Sequence, residues 1–172
     1  MPSPVIWKWK EGCSPLIKNV ISQVQFEIGQ IDQLFDSYAD LLERQGKNDP
    51  DLVEITAIAA VLHSFYNGLE NIFLSIAKGL DANVPSTAQW HRDLLNQMTN
   101  STATRNPLLT IETSGRLSDY LGFRHFFRHS YSFFMEWEEL EKLVTPLHEV
   151  WGQAKEEIEK FLTTFDSHAP AD

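Results

Sequence analysis

The sequence predicts an all-α protein, an antiparallel bundle of four long helices with one short additional helix. Apolar residues recur every three or four positions over long stretches, as they do along the buried face of an amphipathic helix. Capping residues, prolines and glycines separate these stretches. No stretch alternates apolar and polar residues as a half-buried β-strand does. Together these observations favour a helical bundle.

The first two predicted helices are long and joined by a short link. Ser14 and Pro15 form a helix-start pattern, and the apolar spacing continues from there to about residue 44. Residues 46–50, Gly-Lys-Asn-Asp-Pro, end this helix and start the next, which we expect to close with Gly79 as a left-handed cap. Two helices of this length with a tight link are expected to pack antiparallel.

A short third helix is predicted after a break in the apolar pattern. Pro85 and Ser86 provide its start, and the spacing continues to about Met98. The polar residues 99–107 that follow predict a loop, because they are rich in Thr, Asn and Ser and end in a proline.

Two further helices complete the predicted bundle. The fourth is expected from about Glu112 into the region of Phe133, and the fifth from about Glu138 to Phe165. Pro146 lies inside the last pattern and should kink it, since proline removes a backbone donor and crowds the preceding turn.

Length and composition fit one domain. The chain has 172 residues, of which 42% are hydrophobic, enough for a single core. We predict an N-terminal arm over residues 1–13, a bundle domain over 14–166 and a flexible tail over 167–172.

No run approaches the roughly 18 uninterrupted apolar residues of a membrane helix, and the start lacks a signal-peptide core. We therefore expect a cytoplasmic protein. Cys13 is the single cysteine, which excludes an internal disulfide.

The charge of the chain is unevenly distributed. The formal net charge is −10, which argues against a protein that coats nucleic acid, because phosphate binding is driven by Lys and Arg. Residues 132–172 hold ten acidic residues against three lysines, which gives −7 of this total. Residues 116–131 hold three arginines against one aspartate, a local +2. This distribution remains compatible with a small site for one phosphate.

The basic segment has two faces when residues 117–134 are placed on a helix at about 100° per residue. One face is apolar and suits the core; it comprises Phe123, Phe126, Phe127, Ser130, Phe133 and Phe134. The opposite face is polar and comprises Arg124, His125, Arg128, His129 and Tyr131. Imidazole can move a proton to or from a ribose hydroxyl, and guanidinium stabilises phosphate charge. The pattern therefore suits metal-free cleavage of RNA, and equally an ordinary solvent-facing side of an amphipathic helix.

The spacing Arg124, four residues, His129, one residue, Tyr131 resembles the Arg-x4-His-x-Tyr motif of the HepT-like branch of the HEPN superfamily. The preceding Leu-Gly-Phe before Arg124 and the order of helices over about 15–165 extend the resemblance. The resemblance implies a helical bundle that forms a homodimer, with a ribonuclease cleft shared between two facing motif helices. It also implies a toxin whose partner is a nucleotidyltransferase antitoxin that attaches AMP to the motif tyrosine.

The resemblance also implies roles for individual residues. Arg124 would bind and stabilise the scissile phosphate, His129 would act as acid or base, and Tyr131 would be the modified residue. Arg128 and His125, which share the polar face with these residues, are expected to assist or contact substrate. His125 departs from the family pattern, in which a polar amide or acid often follows the motif arginine. RNA is the expected substrate, and no cofactor, DNA or membrane partner is expected.

Other positions bear on the same site. A polar stripe on the second helix comprises His63, Asn67, Glu70 and Asn71. If this helix packs beside the motif helix, Glu70 could orient an arginine or histidine; otherwise the stripe faces solvent. Leu117 and Leu121 project on the polar arc, which either marks a dimer surface or means that the helix begins in the core.

Three classes of function remain open from the sequence. The first is a metal-independent endoribonuclease toxin held in check by a nucleotidyltransferase. The second is a non-catalytic HEPN module that binds nucleotide or serves as a helical partner of a nucleotidyltransferase, which the acidic total and His125 favour. The third is an interaction bundle without an active site. His125 and His129 have the spacing of a metal-chelating pair, but nearby arginines would repel a cation and no metal is expected.

Overall fold

The structure, a computed structural model, describes residues 14–43, 48–131 and 135–166. The described residues form helices and no strand. The helices are α1 (Pro15–Ser37), α2 (Ala39–Leu42), α3 (Leu52–Ile76), α4 (Trp90–Gln97), α5 (Ile111–His129), α6 (Trp137–Val144) and α7 (Leu147–Asp166), and a π-helical segment (Ala77–Asp81) extends α3. The long helices α1, α3, α5 and α7 have 23, 25, 19 and 20 residues. The predicted all-α bundle is confirmed.

Helix α3 is the centre of the bundle. It packs against α1, α4, α5 and α6, and Ile58, Leu62, Phe65, Leu69 and Ile72 along it are buried. α1 packs along α3 with buried residues at helical spacing from Ile17 to Phe35. Because α3 contacts most of the other helices, side chains on its polar stripe meet residues of α4 and α5.

Polar contacts fix the two outer long helices to their neighbours. On α1, Asp32 accepts hydrogen bonds from Trp151 Nε1 at 2.8 Å and from Lys155 Nζ at 2.6 Å on α7. At the start of α5, Glu157 accepts from the backbone N–H and hydroxyl of Thr110. These contacts join α7 to α1 and to the start of α5.

Several predicted helix ends are wrong by a few residues. The first predicted helix breaks at Tyr38, which separates α1 from α2. α3 begins after Asp51, which forms a capping box with Glu54. α4 begins at Trp90 instead of Pro85-Ser86, and α5 ends at His129 instead of the region of Phe133. Pro146 separates α6 from α7, which confirms the predicted interruption.

The predicted left-handed cap at Gly79 is wrong. The chain passes through Gly79 in the π-helical segment, and Ala82 has the positive φ, 49°. Gly79 is required for a different reason, because a Cβ there would lie 2.2 Å from Cγ2 of Val20 on α1. The glycine therefore permits the close approach of α1 to the end of α3.

A buried ion pair organises the predicted loop before α5. Arg105 donates from Nε and Nη2 to the two carboxylate oxygens of Asp81, each at 2.7 Å. The same guanidinium donates to backbone carbonyls of Gln97, Asn100 and Asn106. The pair thereby joins the π-helical segment to the loop that leads into α5.

The orientation of α5 differs from the predicted one. Leu117 and Leu121 are buried and contribute to the core, so the hypothesis that they form an exposed dimer surface is wrong. Arg124 is buried on this same side of the helix. Phe126 is exposed, and Phe123, Phe127 and Ser130 are half-buried, while Phe133 and Phe134 lie outside the described residues. The face of α5 that packs against the core is therefore the one that carries Leu117, Leu121 and Arg124.

The segment Leu52–Asp81 is long and apolar enough to cross a membrane by length and composition. The central helix of a packed bundle has the same properties, and α3 has that position here. The apolar sequence of this segment is interrupted by charged residues, including Glu70. The predicted arm at 1–13 and tail at 167–172 lie outside the described residues.

Candidate functional site

Arg124 points inward and contacts two side chains of α3. Its Nε donates to Oδ1 of Asn67 at 2.7 Å, and its Nη2 donates to Oε1 of Glu70 at 3.1 Å. Arg124 is only 7% exposed, whereas the helical projection placed it on the non-core face. Burial of a guanidinium requires an opposite charge, which Glu70 provides. The contact between Glu70 and an arginine of the motif helix, one of two possibilities from the sequence, is present.

Glu70 also links the motif helix to α4. Its second oxygen, Oε2, lies 2.6 Å from Nδ1 of His91. The ring of His91 stacks on Trp90, with centroids 3.6 Å apart. Glu70 is 6% exposed, so one buried carboxylate joins a guanidinium on α5 and an imidazole on α4. Sequence reasoning gave His91 no such role, and no spacing could have indicated it because the partners lie on different helices.

A second branch of hydrogen bonds leads from Arg124 to His63. The guanidinium can only donate, so Asn67 accepts through Oδ1 and its amide nitrogen faces Nδ1 of His63 at 3.2 Å. The amide donates there, and this network assigns the ring proton of His63 to Nε2. That nitrogen is buried and has no hydrogen-bond partner among the described residues.

Electrostatics favour the neutral form of His63. Burial lowers the pKa of His63 below its ordinary value, and the positive charges of Arg124 and Arg128 lower it further. The negative charge of Glu70 opposes these effects. The ring also packs against Phe127, with centroids 4.9 Å apart. His63 is therefore a neutral, packed histidine beside two guanidiniums.

We call His63, Asn67, Glu70, His91 and Arg124 the inner cluster. It accounts for three of the four residues of the polar stripe predicted on α3. The fourth, Asn71, contacts α1 instead, where it donates to Oε1 of Glu27 at 3.3 Å.

The other predicted site residues lie in the last turns of α5 or just beyond its end. His125, Arg128, His129 and Tyr131 are exposed, and Tyr131 is 71% exposed. The rings of His125 and His129 lie one turn apart with centroids 4.9 Å apart. We call these four residues the exposed group. Arg124 and His129 differ by about 140° around the helix, so the structure places them on different faces of one protomer.

No group of three histidine, cysteine, aspartate or glutamate side chains among the described residues has metal-site geometry. The exposed pair of His125 and His129 has Arg128 beside it in the sequence, and the positive charge of that guanidinium opposes cation binding. The chemistry available to the exposed group is proton transfer by imidazole and charge stabilisation by guanidinium.

A family model described as HepT-like protein matches residues 57–165. The chain belongs to the HepT-like family. This family is part of the HEPN superfamily, so the resemblance seen in the motif segment is confirmed at the level of the family. No curated protein and no solved structure matches the chain.

The HepT-like match spans both groups of site residues. It begins in α3 before His63 and ends in α7, so the inner cluster and the exposed group both lie inside it. The family connects this chain with HEPN toxins and related modules. The predicted arm, the whole of α1 and α2, and the first residues of α3 lie before the matched region.

Proposed function

We propose that this HepT-like protein is a metal-independent endoribonuclease, the toxin of a module whose antitoxin is a nucleotidyltransferase. The observation that carries the proposal is the exposed group at the end of α5. It presents two imidazoles, a guanidinium and a phenol to solvent in a chain of the HepT-like family. The inner cluster holds the helix that carries them against α3.

The proposed reaction uses the ribose as its own nucleophile. The 2′ oxygen attacks the adjacent phosphorus, the bond from phosphorus to the 5′ oxygen breaks, and a 2′,3′-cyclic phosphate remains. His129 takes the proton from the 2′-hydroxyl or gives one to the leaving 5′ oxygen. Guanidinium stabilises the added negative charge on the phosphate. His125 lies one turn before His129 and in ring contact with it, and this proximity supports an assisting role.

The proposed site is shared by two protomers. One α5 exposes a single copy of the exposed group, and proton transfer in both directions needs an acid as well as a base. In a homodimer with facing α5 helices, the two copies of His129 supply both. Phe126, which is 45% exposed on α5, adds apolar surface that such a contact would bury.

The proposed antitoxin controls the enzyme through Tyr131. This tyrosine follows the end of α5 and is 71% exposed, which suits the approach of a modifying enzyme. An added AMP would place a negative phosphate beside Arg128 and His129, where it would compete with the RNA phosphate. After co-expression with the nucleotidyltransferase, we expect the mass of the Tyr131 peptide to increase by one AMP. An unmodified peptide from fully inhibited protein would contradict this mode of control.

The catalytic proposal is tested by cleavage of RNA in the presence of EDTA. We expect wild-type protein to cleave and His129→Ala to lose at least about 100-fold in rate, the range for removal of a general acid or base. His148→Ala on α7 is a matched control, since it removes another exposed histidine of the same domain. Equal rates for wild type and His129→Ala would contradict the proposal.

A non-catalytic HEPN module is the second candidate, and one observation favours it. Arg124 is buried and its charge is compensated by Glu70, so in a single protomer the motif arginine is not free to bind a phosphate. On this alternative the protein forms a stable complex with the nucleotidyltransferase or binds nucleotide, and it cleaves no RNA. Complex formation without cleavage by the free protein would support it.

A further inference from the structure

Arg124 and Arg128 lie one turn apart on α5 but in different surroundings. They differ by about 40° around the helix axis and by about 6 Å along it. Arg124 is buried, whereas Arg128 is exposed. The two guanidiniums therefore differ in access to a ligand.

The donors of Arg124 are directed toward its own protein. Nε donates to Asn67 and Nη2 donates to Glu70. Both acceptors are held by further partners, since Asn67 contacts His63 and Glu70 contacts His91. A rotation of Arg124 toward a ligand would break both hydrogen bonds and leave the charge of Glu70 buried beside His91 alone. The hydrogen bonds from α3 therefore keep the guanidinium in place.

The charge of Arg124 is also compensated. The pair formed with Glu70 has a distance of 3.1 Å, and both side chains are 8% exposed. A phosphate approaching this pair meets a guanidinium and a carboxylate together, so the net attraction is small. Breaking such a buried pair is costly because the remaining charge has no partner.

Arg128 has the opposite properties. It is exposed at the end of α5 and forms no ion pair among the described residues. It lies beside His129 in sequence, and its positive charge extends to the inner cluster, where it contributes to lowering the pKa of His63. An accessible guanidinium with two free edges matches the geometry of a phosphate group.

We propose that Arg128 is the guanidinium that contacts the RNA phosphate, and that Arg124 is a positioning residue held by Asn67 and Glu70. This division of roles rests on the proposed ribonuclease function. Arg124 fixes the last turns of α5 against α3 and thereby sets the position of Arg128 and His129. The ligand class at Arg128 is a phosphodiester of single-stranded RNA.

The salt dependence of RNA binding distinguishes the two arginines. Binding of a labelled single-stranded RNA is measured over a range of salt in a His129→Ala background, which prevents cleavage during the measurement. Arg128→Gln should weaken binding about tenfold, as for loss of one charge-assisted contact. It should also reduce the slope of log K against log salt by about 0.7, the value for one phosphate contact of a single strand. Lys160→Gln on α7 removes an equal charge elsewhere and should leave the slope unchanged.

The matched test for Arg124 is the double variant Arg124→Gln with Glu70→Gln. It removes both charges, so the net charge is unchanged and no single buried charge remains. We expect the salt slope of this variant to equal that of the His129→Ala parent. In the otherwise wild-type background, the double variant should cleave RNA more slowly, because α5 is less firmly placed.

The outcomes separate this inference from the proposed function. An unchanged slope in Arg128→Gln overturns the division of roles, as does a reduced slope in the double variant. The salt slope of Arg128→Gln tests the division of roles by itself, even where the double variant does not fold. Absence of salt-dependent RNA binding by the His129→Ala parent would instead overturn the ribonuclease proposal itself, and this inference with it.

Discussion

Glu70 determines the environment of the motif arginine. Its carboxylate accepts from Arg124 and contacts His91, and it is buried among three helices. Without this charge, a guanidinium could not be buried at that position of α5 at low cost. The inward position of Arg124 is therefore a property of a residue on α3 as much as of the motif.

The pair should show strong energetic coupling. We expect Glu70→Gln and Arg124→Gln each to lower the free energy of unfolding by about 3 kcal/mol, because each leaves a buried charge without its partner. The double variant should lose at least about 1 kcal/mol less than the sum. Urea denaturation of the four proteins measures the coupling. Additive losses would contradict a direct interaction between the two side chains.

His63 should make stability depend on pH. Its pKa is lowered in the folded state by burial and by the two arginines, whereas in the unfolded chain it has the ordinary value of about 6.5. As pH falls below that value, the unfolded state binds a proton that the folded state does not, so stability decreases. His63→Gln should therefore lose less stability than wild type between about pH 7 and pH 5.

The control for the His63 prediction is the pH dependence of the free energy of unfolding at higher pH. Well above the ordinary histidine pKa, His63 is neutral in both states and contributes no slope. The stability curves of wild type and His63→Gln should therefore be parallel there. If they are also parallel between about pH 7 and pH 5, the pKa of His63 is not lowered by folding.

Apart from His91, the identities of the site residues were visible in the sequence, but the directions of their side chains were not. Helical projection grouped Arg124 with the exposed residues of α5 and assigned the core to the phenylalanine side. The structure buries Leu117 and Leu121 with Arg124 instead. A projection gives angles between residues and not which side the neighbouring helices occupy, and an arginine on the core side is expected to be rare without a buried acid.

At the scale of elements, the close contact between α1 and the end of α3 depends on one glycine. A side chain at Gly79 would meet Val20 at 2.2 Å. We expect Gly79→Ala to lower the free energy of unfolding by about 2 kcal/mol, because the helices must separate or the backbone must shift. Thermal or urea denaturation measures this loss.

Gly29→Ala is the matched control on α1. Gly29 is a helical glycine whose added Cβ would contact nothing within 4 Å. This substitution should raise stability by about 0.5 kcal/mol, since alanine is the better helix former. A neutral or stabilising Gly79→Ala would contradict the packing described for the π-helical segment.

Helix existence was predictable from apolar spacing, and helix ends were less so. Pro146 ended α6 as expected because proline acts through its own backbone. The π-helical segment and the early end of α5 were not predictable, because they depend on contacts with other helices. Arg105 illustrates this, since its buried pair with Asp81 joins residues 24 apart.

At the scale of the whole molecule, charge and fold fit a local phosphate site. Two acidic residues of α7 contact the first half of α5, where Glu157 accepts from Thr110 and Glu149 pairs with Arg116. The exposed group lies at the other end of the same helix. The family and the bundle were predictable from the sequence, which also offered the contact of Glu70 with α5 as one of two alternatives. The contact of Glu70 with His91 on α4 required the structure.

The most direct test of the central claim compares an RNA oligonucleotide with the same sequence carrying 2′-deoxy sugars, both incubated with the protein in EDTA. If His129 acts on a ribose hydroxyl, wild-type protein cleaves the RNA and leaves a cyclic phosphate, the deoxy oligonucleotide stays intact, and His129→Ala cleaves neither. Cleavage of the deoxy oligonucleotide, or cleavage of RNA that persists in His129→Ala, would contradict the account.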